Sequence, residues 1–463
     1  MNNKTYDVIV IGCGLSGLTA SAHLTKLGYQ VCALEARNRL GGRLHSQVMD
    51  GQYFELGAAY LQGSGDLNNP NPLLSVFKRY NVQTTPLDPL NSDFFNSEGD
   101  NSSLAEWLAP LNEPFERANK LIQDAKLIPR VTQPSLATVL GYSSQIPPKG
   151  SKEFKARQII TTTIQHNTGA TPNEVSLLEL MHDETFIVAD RLIINGSHNL
   201  IEGLLQECEA TQNFSLFLKS NVQIIHHSNA DSIGRVITET GEEYRAAAIL
   251  SAVPLGVLKK HPLRFQPDLS KAKQKAIRHL GLGEQNHVIL EFNKAFWPEN
   301  RHYLYPNHTD INQWPEYINL SPFTDGRPVL MANVFGQAAK FSKQKERDII
   351  ERILAPLRRV YKTAVTQPKQ VRISRWDSDC FTEGGVPYCG LLSTEEDLLA
   401  IQTPEYKRLY FSGDYTRRGQ KHTLTAAYES GLKAALEIDA YLKYQDRLQV
   451  DARPRPMGSS RNK

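Results

Sequence analysis

The start of the chain alternates between apolar runs and a glycine-rich turn in an order that predicts a strand, a helix and a second strand. Tyr6–Gly12 is rich in valine and isoleucine, which is typical of a buried strand. Apolar residues then recur at helical spacing over Leu18–Leu27, and a second apolar run, Gln30–Leu34, ends at the acidic Glu35. The pattern therefore predicts a βαβ unit.

The pattern changes twice further along the chain. Helical spacing over Leu104–Lys126 and Ala156–His166 predicts a mainly helical region across 81–214, with loops at Gln133–Ser151. Short apolar and β-branched runs then predict strands, and the last long apolar pattern predicts a helix at Thr425–Tyr441. The predicted strands are Val222–His226, Arg235–Glu239, Ala246–Val253, Asn286–Phe292 and a run from Leu409 that ends at Gly413-Asp414.

These elements predict an α/β protein with a discontinuous Rossmann-like nucleotide-binding domain and an inserted α+β substrate-binding domain. The first domain is expected from residues 1–80, 215–285 and 390–445, and the second from residues 81–214 and 286–389. Residues 446–463 are basic and rich in proline, which predicts a disordered tail.

The composition and net charge of the chain argue against several classes of function. The chain has 463 residues, a net charge of +3 and 40% hydrophobic residues. The tail alone holds five basic and two acidic residues, so the body is formally neutral, which argues against nucleic-acid binding. Mostly apolar stretches are too short to cross a membrane, and no secretory signal is recognised. The five cysteines show no metal-binding spacing, so we expect reduced thiols, no metal site and a cytoplasmic location.

The glycine-rich turn carries the first functional signal. It reads Gly12-Cys13-Gly14-Leu15-Ser16-Gly17 between the first strand and the first helix. Glycines there allow a tight turn and close approach of a pyrophosphate, the helix N-terminus favours its negative charge, and Glu35 can accept hydrogen bonds from a ribose. The motif predicts dinucleotide binding without choosing between NAD and FAD.

Further motifs resemble those of the flavin amine oxidase superfamily, which includes monoamine oxidases, polyamine oxidases, L-amino-acid oxidases and lysine-specific histone demethylases. Glu35-Ala36-Arg37-Asn38-Arg39-Leu40-Gly41-Gly42-Arg43 is similar to its second FAD signature. Other matching segments follow in the family's order: Glu55-Leu56-Gly57-Ala58, Leu250–Leu258, Leu280-Gly281-Leu282-Gly283, Arg375-Trp376, Phe411–Thr416 and Ser430-Gly431. The resemblance spans about residues 5 to 441 and implies a noncovalently bound FAD.

Residue roles follow from this resemblance. Glu35 is expected at the adenosine ribose, Arg43 near the pyrophosphate and ribityl chain, and Leu424 with its N–H towards the flavin pyrimidine. Asp414 stands where the family usually has glutamate. The full set of expected FAD-binding residues is Gly12, Gly14, Leu15, Ser16, Gly17, Glu35, Arg37, Gly42, Arg43, Gly57, Ala58, Val222, Asp414 and Leu424.

The sequence departs from the family at the expected catalytic positions. Relatives place a lysine beside flavin N5, and the alignment through Asn286 puts His287 there. A histidine is only partly charged near neutral pH, so its help to flavin reoxidation should be smaller or pH-dependent, unless His287 is simply a packed strand residue. We group His287 with Trp376 and Thr423 as candidate catalytic residues.

The substrate side also departs from the family. Monoamine oxidases flank the amine with two tyrosines. The first position falls near Val386 or Pro387 here, with Tyr388 close by, and the second falls on Thr423. The flavin-tethering cysteine of some relatives would also sit near Val386, with Cys389 three positions away. Some polyamine oxidases carry an acidic residue at Gln62, so a neutral amide there weakens the case for a polycationic substrate. Candidate substrate-lining residues are Tyr60, Gln62 and Tyr388.

The resemblance therefore implies an FAD-dependent oxidase of a small-molecule amine. Hydride would pass from the amine α-carbon to flavin N5, the imine would be hydrolysed, and molecular oxygen would yield hydrogen peroxide. An FAD-dependent desaturase or dehydrogenase of an apolar substrate, or a flavin-binding protein without turnover, are the alternatives. The sequence leaves the substrate and the oligomeric state open.

Overall fold

The structure is a computed structural model of the chain. It describes residues 5–65, 70–88, 91–95, 116, 120–121, 123–124, 133–142, 146–148, 151–181, 190–228, 233–260, 263–306, 316–419 and 421–451. The predicted helix Leu104–Lys126 lies outside the described residues, apart from five helical positions, and so do residues 452–463 of the predicted tail.

Strands and helices are labelled in chain order. The strands are β1 (Thr5–Ile11), β2 (Val31–Leu34), β3 (Ser46–Met49), β4 (Gln52–Glu55), β5 (Tyr60–Leu61), β6 (Thr84–Pro86), β7 (Ser92–Phe95), β8 (Arg191–Ile193), β9 (Phe214–Phe217), β10 (Val222–His226), β11 (Gly234–Thr238), β12 (Glu243–Ser251), β13 (Arg264–Gln266), β14 (Gly281–Gly283), β15 (Gln285–Glu291), β16 (Tyr303–Pro306), β17 (Glu316–Asn319), β18 (Val329–Phe335), β19 (Gln370–Ile373), β20 (Val386–Tyr388) and β21 (Leu409–Phe411). The helices are α1 (Leu15–Lys26), α2 (Leu73–Arg79), α3 (Leu136–Val139), α4 (Lys152–Thr168), α5 (Leu178–Met181), α6 (His198–Glu209), α7 (Leu255–Lys260), α8 (Lys271–His279), α9 (Glu346–Tyr361), α10 (Glu395–Gln402) and α11 (Leu424–Asp451).

The first sheet has a parallel centre in the order β9-β2-β1-β12, and β21 pairs parallel to the end of β12. Its apolar runs are buried on both faces, because helices cover the sheet, as expected for parallel strands. On one side, Val8 and Leu250 pack with Leu24 of α1 and Ile438 of α11. The predicted α/β class is confirmed.

The carboxyl ends of these strands meet at one edge. Gly12 follows β1, Glu35 follows β2, Ala252 follows β12, and Gly413-Asp414 come shortly after β21. Ligands in open α/β sheets bind at this edge, where loops from neighbouring strands converge.

The second sheet is mixed, in the order β19-β15-β18-β17-β16-β7, and α9 packs on one face through Ile353 and Leu357. Its register pairs His287 on β15 with Asn333 on β18, and Asn333 with Glu316 on β17. Directly paired residues point to the same face of a sheet, so these three polar side chains form a row. Strand pairing thus brings together three polar residues from three separate strands.

Several elements differ from the sequence prediction. In the described part of the region 81–214, the short strands β6, β7 and β8 accompany the predicted helices. Helix α6, expected in the substrate-binding part, packs through Leu200 and Leu204 against Leu15 and Leu18 of α1. The last helix continues to Asp451, past the predicted start of the tail at Asp446.

Among the described residues, the helices are each too short or too polar to cross a membrane.

Candidate active site

A cavity of about 450 Å³ extends from the carboxyl edge of the first sheet to the polar row of the second sheet. Every site residue predicted from the sequence lines it except Gly17 and Tyr388. The lining predicted residues are Gly12, Gly14, Leu15, Ser16, Glu35, Arg37, Gly42, Arg43, Gly57, Ala58, Tyr60, Gln62, Val222, His287, Trp376, Asp414, Thr423 and Leu424.

The N-terminus of α1 opens into this cavity. Gly14 is its N-cap, and no side chain caps the first turn, which leaves backbone N–H groups for an anion. A Cβ built on Gly14 would meet only Gly41 O, at 3.9 Å, so the glycine leaves open space beside the helix end. This end of the cavity can therefore take a phosphate group close to the backbone.

Gly17 allows α1 to pack closely against the glycine-rich turn and does not line the cavity. A Cβ at Gly17 would lie 2.0 Å from Gly12 O, so any side chain would push α1 away from the turn. Gly17 therefore lies outside the cavity lining, because it faces the turn itself, and its contact with the cofactor stays a prediction.

Glu35 is held by two backbone amides. Its Oε2 accepts a hydrogen bond from Cys13 N at 2.8 Å, and its Oε1 accepts one from Arg37 N at 2.9 Å. The residue is only 5% exposed and still lines the cavity. The carboxylate is therefore fixed at the end of β2 with lone pairs left for a ligand.

Arg43 and Asp414 form a two-armed ion pair across the cavity wall. Arg43 Nη1 donates to Asp414 Oδ2 at 2.8 Å, and Nη2 donates to Oδ1 at 2.5 Å. Arg43 Nη1 also donates to Gly385 O at 2.6 Å. Both side chains are mostly buried, so this pair joins the loops after β2 and β21 beside the cavity rather than lying on the surface.

Arg37 and Asp379 form a second ion pair beside the same cavity wall. Arg37 donates to both oxygens of Asp379, at 2.7 and 2.5 Å, and to Thr382 Oγ1 at 2.9 Å. Its guanidinium also lies 5.3 Å from the centre of the Phe381 ring. Arg37 thus fixes the loop 379–382 beside the cavity, and no local sequence pattern predicts this pairing.

The Gly57-Ala58 turn is backed by Trp376. A Cβ at Gly57 would lie 1.7 Å from Arg43 O and 3.3 Å from the Trp376 ring, so the turn requires glycine. Trp376 Nε1 donates to Leu56 O at 2.9 Å, which fixes the ring beside the turn. The indole is thus both a wall of the cavity and a support for it.

The N-terminus of α11 also points at the cavity, through Thr423 and Leu424. Thr423 Oγ1 accepts from Ala426 N at 3.0 Å and so caps the helix. His422, which sequence reasoning missed, lines the cavity at a φ of 67° and has a buried Nδ1 without a hydrogen-bond partner. Burial lowers the pKa of His422 to about 4.

His287 lines the cavity. Its Nδ1 is 3.4 Å from Glu55 O, and its backbone N–H donates to Ser374 Oγ at 2.7 Å. Burial lowers the pKa of His287 to about 4. The expectation of a partly charged side chain near neutral pH is therefore wrong, because the buried imidazole is neutral there.

Tyr60 and Gln62 line the far end of the cavity, and Tyr388 does not. The Tyr388 ring packs over Gly281, whose missing side chain leaves room for it, and joins a core cluster with Val175 and Leu177. Tyr388 therefore lies outside the cavity lining, and its contact with a substrate stays a prediction. Val386, two positions earlier, does line the cavity.

The far end also contains a histidine that sequence reasoning missed. His166, near the end of α4, lines the cavity beside Tyr60, with ring centres 5.5 Å apart. Its Nδ1 is 3.0 Å from Oε2 of the buried Glu316, which is itself outside the lining. The two residues are 150 positions apart, so no local pattern could have paired them.

These features fit FAD. Two helix N-termini face one cavity, the open space at Gly14 allows backbone approach, and a fixed carboxylate stands one strand away. The described residues include no group of three or more histidine, cysteine or acidic residues that could hold a metal ion.

Comparisons with known proteins agree with this geometry. The family model for flavin containing amine oxidoreductase matches residues 15–439. Polyamine oxidase 4 of Oryza sativa subsp. japonica is 27% identical over 96% of this chain and 92% of its own. Lysine-specific histone demethylase 1 homolog 2 of Arabidopsis thaliana is 29% identical over 93% of this chain and 58% of its own.

Solved structures show the same fold. Wild-type putrescine oxidase bound to putrescine superimposes with a TM-score of 0.75, over 94% of this chain and 99% of that chain, at 19% identity. The match to the family model covers most of the chain. The protein therefore belongs to the flavin containing amine oxidoreductase family and is an FAD-dependent oxidoreductase that acts on amines.

Proposed function

We propose that the protein oxidises a small-molecule amine at its carbon–nitrogen bond and passes the electrons to oxygen. The observation that carries this proposal is that one cavity joins the phosphate-accepting end at Gly14 and Glu35 to the end at Tyr60 and His287. A cofactor and a small substrate can therefore meet inside one cavity.

The chain's own residues bind and orient both molecules. The α1 N-terminus and Glu35 would hold the pyrophosphate and the ribose, and the α11 N-terminus at Leu424 would favour negative charge on the reduced flavin. Trp376 and Tyr60 provide apolar walls that exclude water from the reacting amine. The bound flavin supplies the electron acceptor for a hydride from the amine α-carbon.

The reaction balances without a protein nucleophile. A primary amine loses two electrons and two protons to become an imine, and water then splits the imine into an aldehyde and ammonia. The two electrons and two protons convert oxygen to hydrogen peroxide. Burial lowers the pKa of His287 to about 4, so this side chain supplies no positive charge at physiological pH.

The same neutral His287 supports a second candidate, an amine dehydrogenase that uses an acceptor other than oxygen. A fixed positive charge beside the flavin stabilises the charge that develops on oxygen, and His287 does not supply it. Relative rates with oxygen and with an artificial electron acceptor distinguish the two candidates.

We also infer that FAD is bound noncovalently. Val386 lines the cavity where some relatives have a tethering cysteine, and Cys389 is fully buried in a core cluster with Leu178 and Met181. All five cysteines are free thiols, which suits a reducing compartment such as the cytosol. The two sheets support a division into a nucleotide-binding and a substrate-binding domain.

A peroxide-coupled assay with a panel of amines tests the proposal. The purified protein should be yellow, should release intact FAD on denaturation, and should form one peroxide per aldehyde. Aldehyde formation without peroxide would favour the dehydrogenase, and flavin that stays on the polypeptide would contradict noncovalent binding.

A further inference from the structure

The carboxyl edge of the first sheet continues past Glu35 to a further strand end. Strand β2 lies between β1 and β9, so the turn at Gly14, then Glu35, then the segment after β9 follow one another along this edge. The backbones are joined there, because Ser220 N donates to Glu35 O at 2.9 Å. The next residue, Asn221, therefore lies beside Glu35 on the side away from Gly14.

The order of the groups in FAD places its adenine on this side of Glu35. The adenosine ribose is bonded to a phosphate at one end and to the base at the other. A ribose at Glu35 with its phosphate at Gly14 therefore directs the base towards Asn221. Apolar side chains that pack against one core cluster line the cavity and can contact the faces of a planar base: Val222, Val253 and Leu263.

A carboxylate lines the cavity next to Asn221. Glu239 directly follows β11, and its backbone N–H donates to Asn221 O at 2.7 Å. Asn221 Nδ2 donates to Glu239 Oε2 at 3.1 Å, and both residues line the cavity. A carboxylate only accepts hydrogen bonds, and so does the amide oxygen of Asn221. Glu239 Oε1 and Asn221 Oδ1 can therefore both accept from a ligand.

Neighbouring polar groups do not reverse this preference for a donor. Arg37 also lines the cavity, but its guanidinium is paired with both oxygens of Asp379. The Ser220 hydroxyl donates to Leu218 O at 3.3 Å. Gln223 on β10 lines the cavity with an amide that carries both a donor and an acceptor. This end of the cavity therefore favours a base whose edge donates a hydrogen bond.

We propose that the Glu239 carboxylate accepts a hydrogen bond from the 6-amino group of the FAD adenine, and that Asn221 is the positioning residue that orients this carboxylate. The 6-amino group is the exocyclic donor of adenine, and a purine without it cannot make this bond. Glu239 thereby selects an adenine dinucleotide as the cofactor. This selection is independent of which amine is oxidised and of which molecule reoxidises the flavin.

An FAD analogue with a hydrogen in place of the 6-amino group tests this bond. Fluorescence titration of the full-length apoprotein gives the dissociation constants of FAD and of the analogue. The ratio of analogue to FAD should fall about tenfold from wild type to Glu239→Ala, as expected for the loss of one hydrogen bond. Glu239→Gln keeps an acceptor oxygen and should keep most of the ratio. Asn221→Ala should lower the ratio less than Glu239→Ala does.

Two controls separate this bond from a general effect on the fold. Glu242→Ala is the matched variant, because Glu242 lies in the turn between β11 and β12, is exposed and is outside the cavity lining. Its ratio should stay at the wild-type value. FMN has no adenosine, so its dissociation constant should be the same in wild type and in Glu239→Ala.

An equal ratio in wild type and Glu239→Ala would overturn the proposal, and so would wild-type protein that binds the analogue as tightly as FAD. An FMN affinity that falls together with the FAD affinity would also contradict it, because the variant would then act through the fold. Each result is a binding measurement. A protein that oxidises no amine would refute the proposed function and leave this test of Glu239 unchanged.

Discussion

Replacing Glu35 tests how the nucleotide end of the cavity works. The carboxylate accepts two backbone hydrogen bonds, from Cys13 N at 2.8 Å and Arg37 N at 2.9 Å, and it is expected to accept the ribose hydroxyls as well. Glu35→Ala removes an ionised acceptor from the ribose, a loss of about 1.5–3 kcal/mol. The FAD dissociation constant should therefore rise about 10- to 150-fold.

The same variant should also weaken the protein without FAD. It leaves one buried and one partly buried N–H group unpaired, at about 1–3 kcal/mol each where water cannot replace the carboxylate. Glu35→Gln keeps one acceptor oxygen and should lie between wild type and Glu35→Ala.

Fluorescence titration of apoprotein with FAD and thermal unfolding of the apoprotein measure the two effects separately. Glu243→Ala is the control, because this carboxylate lies in the same sheet, is partly exposed and pairs with Arg245 away from the cavity. Wild-type FAD affinity in Glu35→Ala would refute the assignment of Glu35 to the ribose.

Three further changes test other parts of the wall. His287→Lys should speed reoxidation of the photoreduced flavin by oxygen. The wild-type reoxidation rate should show no His287 titration over roughly pH 6–9, because the pKa of His287 is about 4. Stopped-flow mixing measures both rates, and a wild-type step near about pH 6.5 that is lost in His287→Ala would contradict this expectation. Gly57→Ala should yield protein with little FAD, since its Cβ would overlap Arg43 O; normal flavin absorbance after purification would show that the turn adapts. Thr423→Ala should lose the α11 cap and about 1 kcal/mol of stability, seen as a lower melting temperature of the holoenzyme, and an unchanged melting temperature would show that the cap contributes nothing.

Local patterns predicted the nucleotide end well because it is encoded within one βαβ unit. The apolar runs of β1 and β2, the helical spacing of α1 and the terminal Glu35 all lie close together in sequence, and the carboxyl-edge rule then places them at a binding site. Strands Val222–His226 and Asn286–Phe292 were likewise predicted within a residue of β10 and β15.

The substrate end depended on contacts that no local pattern encodes. His166 meets Glu316 only because α4 packs against the face formed by the β15-β18-β17 register. Tyr388 lies outside the cavity lining because its ring fills the space that Gly281 leaves on the neighbouring strand β14. The charge of His287 could not be read from its residue type, since burial determines it.

Anaerobic mixing of the purified holoenzyme with amines tests the central claim most directly. An amine substrate should bleach the flavin absorbance without oxygen, and readmitted oxygen should restore it with one hydrogen peroxide and one aldehyde per flavin. Flavin that no primary or secondary amine reduces, in protein that is folded and FAD-loaded, would contradict the account.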